Sequence, residues 1–334
     1  MFLEFSEDYA DRRSIARSTT GANVGYVLAK MTLGSSASVP IEPSEYEAIR
    51  EARLATRLGL SVEEKFDLVV EDYLELETTL LTASAHFMVL GGQDYQSFQT
   101  ERALFNRRVV NLLAAGRTYT DHVPHHVAGL LATDNRASGR VKDAFSQQYD
   151  LRLGYRAMSA LRNYVQHREL PVHAFGHNAK RVEGTDGVKF RYTTGLSIQP
   201  SELAADGSFK RSILRELEPL GEKVDLVWLI RDYVEGLWAA HVRIRDEIEP
   251  ALSTHDGVIR AALARYEKDA SEDPRHIAAW RETDRKTLAD KQPIYTDGID
   301  YRLHLRLKNA TLVNLTARYA SSETQSAGPN KRVN

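Results

Sequence analysis

The chain has 334 residues, enough for one large or two modest domains with a substantial core, and its 42% hydrophobic and 27% charged residues are ordinary for a globular protein. The net charge of −2 excludes a global field that attracts polyanions, so a nucleic acid would have to bind a local patch of positive charge. The sequence contains no cysteine, which excludes disulfides and thiolate metal sites and fits a reducing compartment.

Residues 1–56 are predicted as an N-terminal segment of uncertain structure. Their apolar stretch from Val24 to Leu33 could form a strand or a short helix. The first residues are acidic and lack the basic and apolar parts of a signal peptide, and no apolar run approaches the roughly 20 residues of a membrane span. We therefore expect a cytoplasmic protein without a membrane partner.

Residues 57–180 are predicted as a helical bundle, because apolar residues recur there at spacings of three and four. Ser61-Val-Glu-Glu64 has the form of a capping box, and Gly91-Gly92 is a typical end for the helix that this box opens. The next helical pattern weakens after Gly116, and Pro124 is expected to begin a separate short helix. The predicted helices cover residues 61–90, 98–116, 124–131, 141–150 and 151–167.

Residues 181–320 are predicted as a mixed helical and β accessory region that packs on the bundle. Alternating apolar residues between Val188 and Tyr192 follow the turn Thr185-Asp-Gly187 and predict a strand or hairpin. Helices are expected at 223–248 and 255–268, a further strand at 301–307, and a disordered tail at 321–334. The expected fold is mainly α, a helical bundle with a small β hairpin or sheet in its second half.

The last helix of the bundle carries the motif Arg162-Asn163-x-x-x-His167. Cleavage of RNA through its own 2′-hydroxyl needs a base, an acid and a cation that stabilises the phosphorane, and a histidine exchanges protons near neutral pH. The guanidinium of Arg162 can contact two phosphoryl oxygens at once, and Asn163 could orient the imidazole or hold a phosphate oxygen. These groups would need neither a metal nor another cofactor.

This motif at the end of a helix resembles the signature of the HEPN superfamily of helical nucleotide-binding and RNase domains. The wider run from Phe145 through Tyr155 to Leu170-Pro171-Val172 is similar to the last core helices of that family. The resemblance implies a metal-independent endoribonuclease with Arg162, Asn163 and His167 as its catalytic residues. It also implies a homodimer with two motifs across the interface, and a toxin or antiphage defence effector with an antitoxin or regulatory partner.

The motif residues point in different directions on an ideal helix. The apolar stripe of this helix consists of Leu151, Tyr155, Met158, Leu161 and Val165. At about 100° per residue, Arg162 lies about 50° from the centre of the stripe, whereas Asn163 and His167 share the far side of the helix. Arg162 and His167 are then roughly 140° apart. Either the helix unwinds before His167, or the outward face of Asn163 and His167 meets a second subunit.

Five further residues are candidates for RNA binding. Tyr164 could stack on a base, although an aromatic residue beside an apolar stripe can equally be core. The polar and basic residues that follow the motif could contact RNA or could form an ordinary basic loop. These residues are His173, His177, Lys180 and Arg181.

Two other interpretations stay open. His122, His125 and His126 form a dense imidazole cluster that could bind zinc, but no cysteine or His-Glu-x-x-His pattern supports it, and a solvated loop around Pro124 is the simpler expectation. Arg162 and His167 could also be structural, since an arginine can lie over a core and a histidine in the last turn favours the helix dipole. The alternative function is a non-catalytic helical module that binds a nucleotide, RNA or a protein partner.

Overall fold

A computed structural model describes residues 25–32, 37–92, 94–184, 187–205, 207–283 and 287–321. The protein is mainly helical and has two small antiparallel sheets, which confirms the predicted class of a mainly α chain with a small β part. Among these residues, every helix is too short or too polar to cross a bilayer. The tail predicted to be disordered lies outside the described residues from position 322 onward.

The elements alternate between long helices and short strands along the chain. The helices are α1 (Pro43–Leu90), α2 (Tyr95–Leu130), α3 (Ala137–Leu151), α4 (Leu153–His167), α5 (Pro200–Ala205), α6 (Arg211–Leu217), α7 (Leu226–Ala270) and α8 (Asp297–Lys308). The strands are β1 (Gly25–Lys30), β2 (Ser38–Ile41), β3 (Ala174–Gly184), β4 (Gly187–Ile198), β5 (Val224–Asp225), β6 (Ile277–Glu282) and β7 (Leu288–Ile294).

The chain folds into two compact units. The smaller unit combines the described residues up to 50 with residues 260–295, and the larger unit combines 51–259 with the described residues from 296 onward. Each unit is assembled from segments that are distant in sequence.

The smaller unit contains an antiparallel sheet in the order β2-β1-β6-β7. The segment that could be a strand or a short helix is therefore strand β1, which lies inside the sheet between β2 and β6. Leu28 and Ala279 are fully buried partners across β1 and β6. Pro40 is on the edge strand β2, where the missing N–H of proline costs no ladder hydrogen bond.

The core of the larger unit is built mainly by long, uninterrupted helices. Helix α1 has 48 residues and contains Ser61, so the Ser61–Glu64 box does not begin a helix as predicted. Its end before Gly91 agrees with the prediction, because Gly91 adopts a φ of +76°, which suits a glycine. The buried side chains include Phe66, Phe105, Tyr119, Met158 and Leu161.

Helix α2 is continuous over 36 residues, so the predicted break before Pro124 is wrong. An internal proline costs about 3 kcal/mol of helix stability, but tertiary packing commonly decides whether a helix forms. Val123, Pro124 and Val127 are all buried, and this packing keeps the helix intact. Gly116 does not interrupt the helix either. A Cβ there would lie 2.2 Å from Oη of Tyr233, so this glycine permits close contact between α2 and α7.

Two predictions for the second half of the chain are wrong. The helices predicted at 223–248 and 255–268 are one helix, α7, which continues through Pro250. The strand predicted at 301–307 is helix α8, in which Leu305 is buried while Leu303 and Leu307 are exposed. Acidic residues in the first turn of α8 and basic residues in its last turn complement the helix dipole. This charge pattern indicates a helix, but the alternation of apolar residues indicated a strand.

The predicted hairpin is confirmed as strands β3 and β4, which pair antiparallel along their whole length, and β5 extends the sheet beside the end of β4. Of its turn, Thr185 and Asp186 lie outside the described residues.

A buried polar network joins α1, α2 and α7. Arg245 on α7 donates from Nε and Nη2 to the two carboxylate oxygens of Glu63 at 2.8 and 2.5 Å. His241 donates from Nε2 to Glu63 at 3.2 Å, and the Tyr119 hydroxyl donates to its Nδ1 at 2.8 Å. Burial alone would raise the pKa of Glu63, but the hydrogen bonds from Arg245 and His241 outweigh it and lower that pKa to about 2. The burial of His241 lowers its own pKa and keeps the ring neutral.

Glu63→Gln should reduce the free energy of unfolding at pH 7 by about 3–5 kcal/mol, because the guanidinium of Arg245 would be left buried without its countercharge. Since the pKa of Glu63 is lower in the folded than in the unfolded chain, its stabilisation is complete above about pH 5 and disappears as the pH falls toward 2. Urea unfolding between pH 7 and 2.5 would measure this. A gap between wild type and Glu63→Gln that stays constant over this range would contradict the assignment.

The break between α3 and α4 is set by contacts with α7. Arg152 has an extended backbone and donates to Asp232 and Glu235 at 2.8 and 3.0 Å. The backbone N–H of Gly154 donates to the other oxygen of Asp232 at 2.8 Å. A Cβ on Gly154 would lie 2.4 Å from the carbonyl oxygen of Leu229, so only glycine allows α4 to approach α7 this closely.

Gly154→Ala should therefore lower the free energy of unfolding by about 1–3 kcal/mol, because a fixed backbone atom opposes the added methyl group. Gly139→Ala is the matched control on α3, where a Cβ meets nothing within 4 Å. That variant should keep or slightly raise stability, by up to about 1 kcal/mol, because alanine favours helices more than glycine does. Equal stabilities of the two variants in chemical unfolding would exclude the close contact at Gly154.

Candidate functional site

Helix α4 presents two of the three motif residues outward from the core. Tyr155, Met158 and Leu161 are buried as predicted, whereas Leu151 is 69% exposed because it ends α3, before the break. Asn163 and His167 are exposed on the opposite side of α4. The predicted direction of these two side chains is therefore confirmed.

Asn163 and His167 line a surface cavity of about 610 Å³. Arg168 and Lys210 contribute positive charge to it. The described residues that line it come from α3, α4, the position after α4 and the segment before α6, and none of them is an aspartate or a glutamate. They are Tyr149, Ser159, Ala160, Asn163, Tyr164, His167, Arg168, Ser208, Phe209 and Lys210. The cavity therefore combines an imidazole with cations and neutral hydrogen-bonding groups, which suits an anionic ligand.

Lys210 is held on the wall of the cavity by Tyr149. Its ammonium group donates to Oη of Tyr149 at 2.5 Å and lies 5.0 Å from the centroid of the same ring. These contacts limit the motion of a long side chain, so its charge is directed at the cavity.

Arg162 is half-buried and does not line this cavity, in agreement with the predicted divergence from His167. Its Nη1 donates to Oδ1 of Asn163 at 3.1 Å. Burial raises the pKa of the Tyr233 hydroxyl, while the nearby charges of Arg117 and Arg162 act in the opposite direction. Arg162 therefore lies close enough to this tyrosine of α7 to affect it, and it reaches the cavity only through Asn163.

Tyr164 forms part of the cavity wall rather than an exposed stacking platform. It is 7% exposed, and its ring makes edge contacts with Phe209 and His173 at centroid distances of 6.2 and 6.0 Å. Its ring faces are thus largely covered by the protein. A role in binding RNA would be limited to the small part of the side chain that reaches the cavity.

His173 fastens the start of the hairpin. Its backbone N–H donates to the carbonyl of Ser197 at 3.2 Å, and its Nδ1 accepts from the backbone N–H of Gln199 at 3.0 Å. Burial lowers the pKa of His173, so the ring is neutral and supplies no cation for RNA. It does not line the cavity with His167.

His177 also makes contacts within the fold. It stacks on Phe87 at a centroid distance of 4.9 Å and bonds Glu101 and Thr194 at 3.0 and 2.9 Å. Its side chain is 10% exposed. Lys180 and Arg181 follow it on β3 and are exposed. The structure thus separates these three residues from the lining of the cavity.

The histidine cluster lies on helix α2 and not in the loop expected around Pro124. Burial, Lys65 and the other two histidines lower the pKa of His126 to about 4, so that this ring is neutral at pH 7. Within the part of the chain that the structure describes, no group of three or more histidine, cysteine, aspartate or glutamate side chains is arranged to hold a metal ion. The zinc interpretation gains no support from this geometry.

Comparison of the chain with protein-family models, curated proteins and solved structures finds no match. The HEPN assignment therefore stays a prediction from the motif. The cavity adds Ser159, Arg168, Ser208 and Lys210, which sequence analysis did not select. Arg168 follows the motif directly, but Lys210 is distant in sequence and has no motif of its own, so only the fold shows that it lies here.

The cavity wall and its exposed groups should differ in their effect on stability. Tyr164→Ala should lower the free energy of unfolding by about 3–5 kcal/mol, since it removes a buried aromatic ring. His167→Ala and Lys210→Ala should change it by no more than about 0.5 kcal/mol, because both side chains are exposed. Thermal and urea unfolding of the purified variants would measure these values. A large loss in His167→Ala would assign that residue a structural role.

Proposed function

We propose that the protein is a metal-independent endoribonuclease whose active site is the cavity on α4. The observation that supports this proposal is the set of groups around one cavity: the imidazole of His167, the amide of Asn163 and the cations of Arg168 and Lys210, with no carboxylate among the lining residues that the structure describes. A phosphodiester would find its charge complemented there. The HEPN-like motif supports the same reaction class.

In the proposed reaction, His167 removes the proton from the 2′-hydroxyl of the substrate. The 2′-oxygen forms a bond to phosphorus, the bond from phosphorus to the 5′-oxygen breaks, and a 2′,3′-cyclic phosphate results. Arg168 and Lys210 stabilise the negative charge on the nonbridging oxygens. Asn163 accepts a hydrogen bond from Arg162, and its amide group is thereby fixed to hold a phosphate oxygen or the imidazole. Arg162 is thus a positioning residue in this scheme.

The departing 5′-oxygen requires a proton, and the cavity of one chain is lined by a single imidazole. We infer that a second copy supplies it from its own His167, in a homodimer whose two-fold axis passes near the exposed end of α4. Two-fold symmetry is the commonest arrangement of self-associating proteins. The resemblance to HEPN domains supports the same arrangement, and the cleavage rate per chain would then fall when the protein is diluted below its dimer dissociation constant.

The biological setting is also proposed from the resemblance. By that resemblance, the RNase would act as a toxin or an antiphage defence effector in the cytoplasm. A cognate antitoxin or another regulatory partner would restrain it.

A second candidate function is a non-catalytic module that binds RNA or a nucleotide in the same cavity. The observation that favours it is the position of Arg162, which is directed away from the cavity lining. Binding would need the cations of Arg168 and Lys210 but no proton transfer by His167.

Incubation of the purified protein with total RNA in EDTA tests the first function. Wild type should cleave the RNA, His167→Ala should lose at least about 100-fold in rate, and the products should carry 2′,3′-cyclic phosphate and 5′-hydroxyl ends. RNA with a 2′-deoxy sugar at the scissile position should resist cleavage. Lys210→Met should mainly weaken substrate binding, because it removes a cation and keeps the length of the side chain.

His122→Ala is the matched control, since it removes an exposed histidine of α2 that lies outside the cavity lining. It should retain full activity. Binding of RNA without cleavage by wild type would support the non-catalytic module. Loss of activity in EDTA or in His122→Ala, with 5′-phosphate ends, would instead support hydrolysis at the histidine cluster.

A further inference from the structure

The hairpin of β3 and β4 has two chemically different faces. Directly paired residues of an antiparallel ladder project on the same face, and the next residue along each strand projects on the other. Lys180 pairs with Arg191, and Lys189 lies two residues before Arg191, opposite Val182. Lys180, Lys189 and Arg191 therefore share one face, which we call the basic face. The next pair on the same face, toward the base of the hairpin, is polar and consists of Asn178 and Thr193.

The opposite face carries Arg181, which is adjacent to Lys180 in sequence. Arg181 forms an ion pair with Glu183 at 3.6 Å, and Phe190 is its cross-strand partner. Lys180 and Arg191 instead lie directly opposite each other on the basic face. The two faces of the ribbon therefore differ in how their cations are arranged.

The pair of Lys180 and Arg191 brings two like charges together. Like charges directly opposite each other on a sheet are destabilising, and Lys180 and Arg191 are such a pair. Both are exposed, so burial of their side chains brings little compensating stability. The guanidinium of Arg191 lies 5.9 Å from the ring centroid of Tyr319, a contact that leaves its charge in place. A polyanion on this face would remove the repulsion.

A two-stranded ribbon suits nucleic acid in shape as well as in charge. Such ribbons can follow a groove or a phosphate backbone, because cations at alternate positions all point to one side. The ribbon also begins close to the cavity: His173, directly before β3, contacts Tyr164 in the cavity wall. An RNA strand that occupies the cavity could therefore continue along the hairpin.

We propose that Lys180 and Arg191 on the basic face bind the phosphate backbone of the RNA whose scissile phosphate occupies the cavity. This inference rests on the proposed function for the choice of RNA as the ligand. It assigns Lys180 to RNA binding together with Arg191 of β4, and it excludes Arg181, its neighbour in sequence.

The test measures binding of a fluorescent single-stranded RNA to the full chain carrying His167→Ala, at several salt concentrations. In this background, Lys180→Gln with Arg191→Gln should reduce the slope of log K against log salt by about 1.4, since each phosphate contact on a single strand contributes about 0.7. The corresponding loss of affinity is on the order of 20-fold at 0.1 M salt. Arg181→Gln is the matched control on the opposite face and should leave the slope unchanged.

The outcomes separate this inference from the proposed function. Equal slopes for the parent and the double variant, or an equal loss in Arg181→Gln, would overturn the basic face while leaving cleavage possible. A reduced slope in the double variant supports the basic face even if wild type cleaves no RNA, in which case only the nuclease proposal fails. Binding of the parent to anionic vesicles but not to RNA would overturn the assignment to RNA. Circular dichroism and thermal unfolding should show intact folding, because both substituted residues are exposed.

Discussion

The packing of the larger unit depends on the buried polar network of Glu63, His241 and Arg245. A buried ion pair is tolerated only when its polar atoms are hydrogen-bonded, and this network meets that condition. Arg245 occupies both carboxylate oxygens of Glu63, and His241 connects the same carboxylate to Tyr119. Phe66 stacks on the ring of His241 at 4.0 Å and excludes water from it. The network therefore fixes the rotation of α1, α2 and α7 about their axes, which apolar contacts alone would leave less specific.

Once α7 is fixed, it determines where the motif helix lies. Asp232 and Glu235 hold Arg152 at the break, and the absence of a side chain on Gly154 lets α4 begin against the backbone of α7. Because the apolar stripe of α4 is buried, Asn163 and His167 on its opposite side are exposed. The cavity is thus a consequence of core packing, and its chemistry depends on helix phase as much as on the motif.

Much of this geometry was predictable from sequence, and the failures have specific causes. The break near residue 150, the direction of Asn163 and His167, and the hairpin all follow from local periodicity, which the structure obeys. Pro124 was misleading because packing overcame its local cost. The alternation in α8 was mistaken for a strand because apolar residues at every second position can also lie on a partly exposed helix. Lys210 was missed because tertiary contacts alone bring it beside α4.

Charge shows the same dependence on local geometry. A chain with a net charge of −2 would attract no polyanion as a whole, yet its fold groups cations in the cavity and on one face of the hairpin. Lys180 and Arg181 illustrate why sequence proximity is insufficient: a strand separates neighbours onto opposite faces, while it unites Lys180 with Arg191 across the ladder. The local grouping of charge therefore depends on strand register and helix phase, and a change in either would disperse the charges without altering composition.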